Sequence, residues 1–391
     1  MNALFLSPAF PPNAYRFCTA LRARGATVLA IGDVPANQLS SELANSLTTY
    51  VFEPDMGRYD ALHGAVNALV AQYGGIDQLD SNAEHWLSFE SRLRDDFGVP
   101  GVGAAKLNAL RSKLAMAETF AAADIPHPPG ISAGSSAAVR DFARTHGFPL
   151  VFKPDVGSGA QDTFPVTNEA DLEAALATPR PGHIVQRFIT GDIVTFDGLV
   201  DRDGRIVYFT SHAYDAGIMQ VRRGGLDGYY YSLRSVPAGL ETLGRRAVAA
   251  FGVRARFFHL EVFSTADGYV ALEMNIRPPG GFTTDMMNAA GPLDVYDLWA
   301  AIVTGADVGS WTYDLTHHTA HAGRRTDRHY KYSEADLVNA LGDTLVSIET
   351  VPDAFSVTMG NTAYLLRSEN LSALLAAIAL VQGPASSTFA P

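Results

Sequence analysis

Four polar residues between Phe257 and Gly281 have the types and spacing of a hard-cation site. Glu261 lies in one apolar, strand-like run, and Glu273 and Asn275 lie in the next, with Asp267-Gly268 as the turn between them. Strand alternation projects Glu273, Asn275 and Arg277 from one face, and hairpin pairing brings Glu261 beside Glu273. Two carboxylates and an amide oxygen suit Mg²⁺ and leave positions for phosphate oxygens and water. The planar fork of Arg277 suits a phosphate or a carboxylate. Acidic residues on a hairpin are usually a solvated face. Here they stand among Phe257, Phe258, Leu260, Val262, Val270, Leu272 and Ile276, where like charges require a cation or a bound proton.

A second group lies upstream. Leu150-Val-Phe-Lys153-Pro reads as a short strand with one inward lysine, followed by Asp155-Val-Gly157-Ser158-Gly159-Ala. A small glycine loop by itself is a turn. Just beyond a strand-borne lysine, its backbone N–H groups can close over phosphates, with Lys153 as a point charge. Lys113 falls on a helix predicted from Lys106 to Ala123, where a lysine taken alone is a solvated residue.

The order of Lys113, Lys153, glycine loop, Glu261 and then Glu273-Met-Asn275-Ile-Arg277 resembles the ATP-grasp superfamily. In that family a Glu followed by Glu-x-Asn-x-Arg holds one or two Mg²⁺ ions on ATP. The resemblance implies ATP and Mg²⁺ as cofactors, with Mn²⁺ able to substitute. Glu261, Glu273 and Asn275 become the metal ligands, Lys113 and Lys153 the phosphate contacts, and Gly157, Ser158 and Gly159 part of the loop above them. The stretch His183–Asp192 becomes the adenine hinge: Gln186 meets the adenine amino group, and the main chain of Arg187, Phe188 and Ile189 supplies the remaining bonds. Many members hold the ribose with a Glu seven residues after the Gln186 position, where this chain has Ile193. Asp192 takes that role if the strand bulges. The motifs cover residues 105–310.

The flanking elements follow from pattern. Ala3–Leu6, Thr27–Ile31 and Ile76–Leu79 read as strands, and Asn13–Arg24, Tyr59–Tyr73 and His85–Phe97 as helices, which is the alternation of a doubly wound α/β domain. The first turn, Ser7-Pro-Ala-Phe-Pro-Pro, has no glycine for close pyrophosphate approach, so a dinucleotide-binding dehydrogenase is excluded. The expected architecture is an α/β protein with the ATP-grasp fold. An N-terminal doubly wound domain spans residues 1–104. The ATP-grasp domain spans 105–310, with a lid at about 125–190. A small C-terminal α+β domain spans 311–391.

Other residues are weaker candidates for the substrate. Glu84 and His85 follow a strand end, where ligands bind in open α/β sheets and where helix capping competes as an explanation. His212 fits a structural hydrogen bond better than a base. Arg222 and Arg223, in a glycine- and tyrosine-rich loop, suit a substrate carboxylate or simple solubility. Gly280 and Gly281 open the backbone of a turn that leads towards a helix at Asp294–Val303, where amides suit an anion.

Composition sets outer limits. The net charge of −12 and the absence of a basic block exclude a nucleic-acid surface. A single cysteine, Cys18, rules out an internal disulfide and reads as a buried core thiol. The longest apolar run, Ala373 to Val381, is too short to span a bilayer, and the amino terminus carries no export pattern, so a cytoplasmic enzyme is expected. The resemblance implies a carboxylate–amine ligase, which makes an acyl phosphate from ATP and a small carboxylate and passes it to an amine; the alternatives are carboxylation or thioester formation on the same nucleotide site, or a nucleotide-binding module without turnover. Amino acids are the natural candidates for both substrates. Homodimers are common in the superfamily, and one is expected on that ground alone.

Overall fold

The computed structural model describes residues 1–157, 161–215, 227–309 and 311–383. The first sheet has four parallel strands, β1 (Asn2–Leu6), β2 (Thr27–Gly32), β3 (Thr49–Phe52) and β4 (Gln78–Asp80), in the order β3-β2-β1-β4. Strands in such a sheet are buried on both faces and so read as continuous apolar runs. Leu4, Leu6, Leu29 and Ile31 face the helices Tyr59–Tyr73 and Leu87–Phe97. Ala3, Phe5, Val28 and Ala30 face Tyr15–Ala23 and Val295–Thr304. On that second face the Phe17 ring meets Tyr296 and Trp299 edge-on at 4.8 and 5.2 Å. Strand β4 starts two residues later than the apolar pattern predicts, and β3, half-buried at the sheet edge, had no clear signal.

The second sheet is antiparallel: β5 (Gly130–Ser132), β6 (Leu150–Pro154), β7 (Phe164–Val166) and β8 (His183–Arg187), in the order β5-β8-β6-β7. Leu150, Phe152 and Val185 pack on the helices Ser136–His146 and Glu169–Leu176. Alternation turns Val151, Lys153 and Gln186 to the opposite face.

The third sheet contains β9 (Asp192–Val200), β10 (Ile206–Thr210), β11 (His212–Tyr214), β12 (Tyr229–Ser232), β13 (Arg256–Thr265), β14 (Gly268–Asn275), β15 (His318–Arg324), β16 (Leu345–Thr350) and β17 (Thr362–Ser368). Its order is β14-β13-β9-β11-β12-β15-β17-β16, with β10 beside the far half of β9. The helix Ala238–Ala250 packs under β9, β13 and β14 through Leu240, Leu243 and Ala247 against Phe196, Phe258, Leu260 and Met274. Among the described residues no helix is long and apolar enough to cross a membrane.

Two helices depart from expectation. The helix predicted over 106–123 is broken: Ala104–Leu107 and a 3₁₀ turn precede a new helix, Lys113–Ala122, whose N-cap Ser112 accepts from the Ala115 amide at 3.2 Å. The Pro278–Gly281 turn leads first into a short helix, Thr283–Ala289, and Asp294 caps a separate one, Val295–Thr304.

The first sheet is fixed to the third by a buried charge cluster. Arg256, the first residue of β13, lies 3.1 Å from both Asp80 and Glu90, and Arg94 lies 3.5 Å from both. Burial pushes Asp80 above the ordinary carboxylate range despite the two arginines, whereas Arg256 and Arg94 outweigh burial at Glu90 and hold it low. Replacing Arg256 with Met leaves two buried acids with one cation. It is expected to cost about 3–5 kcal/mol, read as a lower midpoint in chemical denaturation. An unchanged midpoint would show that the cluster is solvated.

Candidate functional site

The site grows from strand register. Asp197, His259 and Asn275 sit side by side across β9, β13 and β14, and the next row on the same face is Thr195, Glu261 and Glu273. The pairing of β13 with β14 shifts here. Glu261 opposes Glu273 but Val262 opposes Ala271, so Leu272 is an extra residue. Such a bulge re-aims neighbouring side chains. It lets Leu272 and Glu273 both face the cavity described below, while Ala271 and Met274 both enter the core beneath.

Two lysines close the site from the other side. Lys113 is the first residue of its helix, and Asp155 fastens that helix end. The Asp155 carbonyl accepts from the Lys113 amide at 3.0 Å, and its Oδ1 accepts from the Leu114 amide at 3.0 Å. Lys113 Nζ donates to the Gly157 carbonyl at 2.8 Å and lies 3.6 Å from Glu273 Oε1. Lys153 projects from β6 and is buried, and its ammonium forms no hydrogen bond among the described residues. Burial and the neighbouring Lys113 lower its pKa to about 8, against the opposing pull of Glu273 and Glu261. The chain has only four lysines, Lys106, Lys113, Lys153 and Lys331, and two of them converge here. Burial, reinforced by Glu261 and opposed by Lys113, raises the Glu273 pKa, while His259 keeps Glu261 low in spite of burial.

These groups line one end of a cavity of about 500 Å³. Among the described residues no cluster of three or more His, Cys, Asp or Glu has metal-holding geometry. The donor set here is two carboxylates and an amide, which fits a hard cation that completes its shell with phosphate oxygens and water. Gln186 lines the cavity with Val151, its partner across β8 and β6. Its Oε1 is buried without a hydrogen-bond partner among the described residues, an acceptor that calls for a donor from a ligand. The amides of Arg187 and Phe188 already donate to the Pro129 and Pro149 carbonyls, at 3.0 and 3.1 Å. The Ile189 amide has no such acceptor among the described residues. Asp192 and Ile193 both line the cavity. The β9–β13 register runs without a shift through this point, so no bulge turns Asp192 onto the face of Ile193 and Thr195.

No protein-family model matches the sequence. The uncharacterized protein y4rH of Sinorhizobium fredii is 32% identical over 107 residues, which are 27% of this chain and only 22% of that protein. Solved structures align over nearly the whole chain. The L-amino acid ligase of Bacillus licheniformis gives a TM-score of 0.73 at 14% identity, covering 96% of this chain and 95% of that one. The biotin carboxylase domain of Hydrogenobacter thermophilus 2-oxoglutarate carboxylase, solved as a dimer with MgADP, ADP and bicarbonate, gives 0.72 at 15% identity, covering 95% and 88%. The chain has the ATP-grasp fold.

Within the ATP-grasp fold the remaining candidates separate. Arg277 Nη2 lies 3.2 Å from Glu84 Oε2, so the 3₁₀ turn that follows β4 reaches Arg277, and neither residue lines the cavity; Glu84 makes no helix-capping bond. His85 is exposed and packs edge-on against Trp86. His212 is buried, its Nδ1 2.7 Å from Asp197 Oδ2. It supports the sheet and does not line the cavity. The Gly280-Gly281 turn is tied down by Thr283, whose hydroxyl donates to the Gly280 carbonyl at 2.7 Å, and by Asn13, whose amide donates to the Gly281 carbonyl at 3.3 Å. Ser158, Gly159, Arg222 and Arg223 lie outside the described residues.

Sequence reasoning missed Thr195, Asp197 and His259. The signal was present in part, since His259 precedes Glu261 by two and therefore shares its face. Burial alone would lower the His259 pKa, but Asp197 and Glu261 raise it to about 9. The two histidines in turn hold Asp197 far below the usual carboxylate range despite its complete burial.

The state of Lys153 can be measured directly. Its labelling by an amine-reactive reagent, followed by peptide mass spectrometry, is expected to rise through an inflection near pH 8 instead of the ordinary 10.5. Glu273→Gln removes a group that favours the ammonium and should move the inflection lower. An inflection at the ordinary value would mean a solvated lysine.

Proposed function

We propose that this protein is an ATP-dependent carboxylate–amine ligase acting on small molecules in the cytoplasm. The observation that carries the reading is the meeting of Glu261 and Glu273 with Lys113 and Lys153 in the wall of one cavity, with Asn275 one row along the same sheet face and the unpartnered oxygen of Gln186 also lining the cavity. Anionic and cationic groups meeting there fit a phosphate chain that carries a divalent ion. The resemblance of the fold to an L-amino acid ligase adds support.

In this reading Glu261, Glu273 and Asn275 hold Mg²⁺, or Mn²⁺ in its place, which neutralises phosphate charge when bound. Lys113 and Lys153 hold phosphate oxygens that the cation leaves exposed, and the lowered pKa of Lys153 rises as phosphates approach it. Gln186 accepts from the adenine amino group, and the Ile189 amide supplies a hinge donor. Asp192 borders the same cavity, but with no bulge in β9 it is not assigned to the ribose. Arg277, held by Glu84, orients the acid and stabilises the transferring phosphoryl group.

The chemistry follows from the poor electrophilicity of a carboxylate. The acid attacks the γ-phosphorus of ATP, the bond to the bridging oxygen breaks, and an acyl phosphate and ADP form. An amine then attacks the acyl carbon, loses a proton and expels inorganic phosphate, leaving an amide. Substrates are small acids and amines, with amino acids as the first class to test.

The test is a screen of amino acids, singly and in pairs, for Mg²⁺-dependent ADP release, with mass spectrometry of the products. Hydroxylamine is expected to intercept the acyl phosphate as a hydroxamate even without the amine. Arg277→Ala should depress hydroxamate formation by about 10²–10³-fold while ATP affinity holds, and Arg277→Lys should rescue only partly, since a point charge cannot reproduce the fork. ADP formed with no hydroxamate, under any acid that supports turnover, would refute the acyl phosphate. Separately, Glu273→Gln should nearly abolish turnover, and Lys153→Ala should lose the thermal shift given by ADP; wild-type behaviour in either variant removes that residue from the site.

A further inference from the structure

The six-position face of β9, β13 and β14 holds three candidate cation ligands and three residues without a role in the chemistry above: Thr195, Asp197 and His259. These three are bound to one another and to His212 in a definite order. Asp197 is fully buried. Its Oδ1 lies 2.6 Å from His259 Nδ1, and its Oδ2 lies 2.7 Å from His212 Nδ1 and also accepts from the Thr195 hydroxyl. Thr195 Oγ1 accepts in turn from the His212 amide at 3.1 Å. The remaining ring nitrogen of His259, Nε2, lies 3.4 Å from Glu261 Oε1.

A glutamate at a cavity wall has three rotatable side-chain bonds, and ordering it at each binding event costs on the order of 1–2 kcal/mol. A fixed donor behind the carboxylate removes part of that cost in advance. The imidazole ring is such a donor only if its own plane is fixed, and Asp197, pinned from three strands, fixes it.

We propose that Asp197 and His259 are positioning residues, forming a carboxylate–imidazole chain that orients the Glu261 carboxylate for cation binding. Thr195 and His212 lock the buried end of that chain. The inference rests on the reading of Glu261 as a cation ligand.

Two substitutions at one position separate orientation from packing. Glutamine at 259 keeps an N–H donor near the place of Nε2, and asparagine keeps one near the place of Nδ1. The measurement is uptake of free Mn²⁺ by the full chain in the presence of ADP, followed by electron paramagnetic resonance, beside the melting temperature and ADP affinity in EDTA. His259→Asn is expected to weaken Mn²⁺ uptake by about 10–100-fold, with melting temperature and metal-free ADP affinity near wild type, and His259→Gln should recover most of the loss. Equal Mn²⁺ uptake in His259→Asn and wild type would overturn the proposal. So would parallel losses of Mn²⁺ uptake, melting temperature and metal-free ADP affinity in both variants, because that pattern is packing. If wild type with ADP takes up no Mn²⁺, the cation assignment under the proposed function fails and this inference falls with it.

Discussion

Glu261 and Glu273 stand in register on adjacent strands, and their mutual repulsion is the constraint around which this region is organised. Two carboxylates so placed in a half-buried wall cannot both ionise without help. Help arrives from three directions. Lys113 comes from a helix end, Lys153 from another sheet, and His259 from the same strand as Glu261. Two of these groups and both acids are bent from their ordinary behaviour. Lys153 is pushed towards neutrality, His259 towards its charged form, and the two acids are driven apart in proton affinity.

The hairpin that carries the two acids is also where the first sheet is attached. Arg256 begins β13 and Arg277 follows β14, so both lie at the open end of the hairpin. Asp80 and Glu84, four residues apart where β4 runs out, meet one each. The contact at Arg256 is deep and shared with Glu90 and Arg94, whereas the contact at Arg277 borders the site. One segment of the first sheet therefore anchors the hairpin and touches the residue assigned to the substrate.

Much of this was legible in the sequence, and what was not has physical reasons. The period of two placed Glu273, Asn275 and Arg277 on one face and Lys153 on the inner side of its strand, because alternation is local. The bulge at Leu272 was invisible, since it is decided by how β14 fits β13 and the core beneath. Lys113 read as a mid-helix lysine because Ser112 sits in an otherwise helical run; its capping bond, together with the grip of Asp155 from 42 residues away, starts a new helix there. Asp197 looked like an ordinary strand polar residue and His212 like a structural hydrogen-bonder with no visible partner, and only cross-strand register joins them, through Asp197, to His259. Thr283–Ala289 escaped notice because its glycine-rich approach reads as a loop.

The lysines and carboxylates also bear on how the cavity fills. Where Lys113 and Lys153 meet the hairpin, Glu261 and Glu273 bring two negative charges against their two positive ones, and Glu84 and Arg277 pair with each other nearby. These four charges balance one another before anything enters. A bare metal ion would strand the lysines, and a bare polyphosphate would strand the acids. A guest that carries both signs, a cation already married to its phosphates, can exchange partners with both pairs at once and leave no charge alone in the dark of the fold.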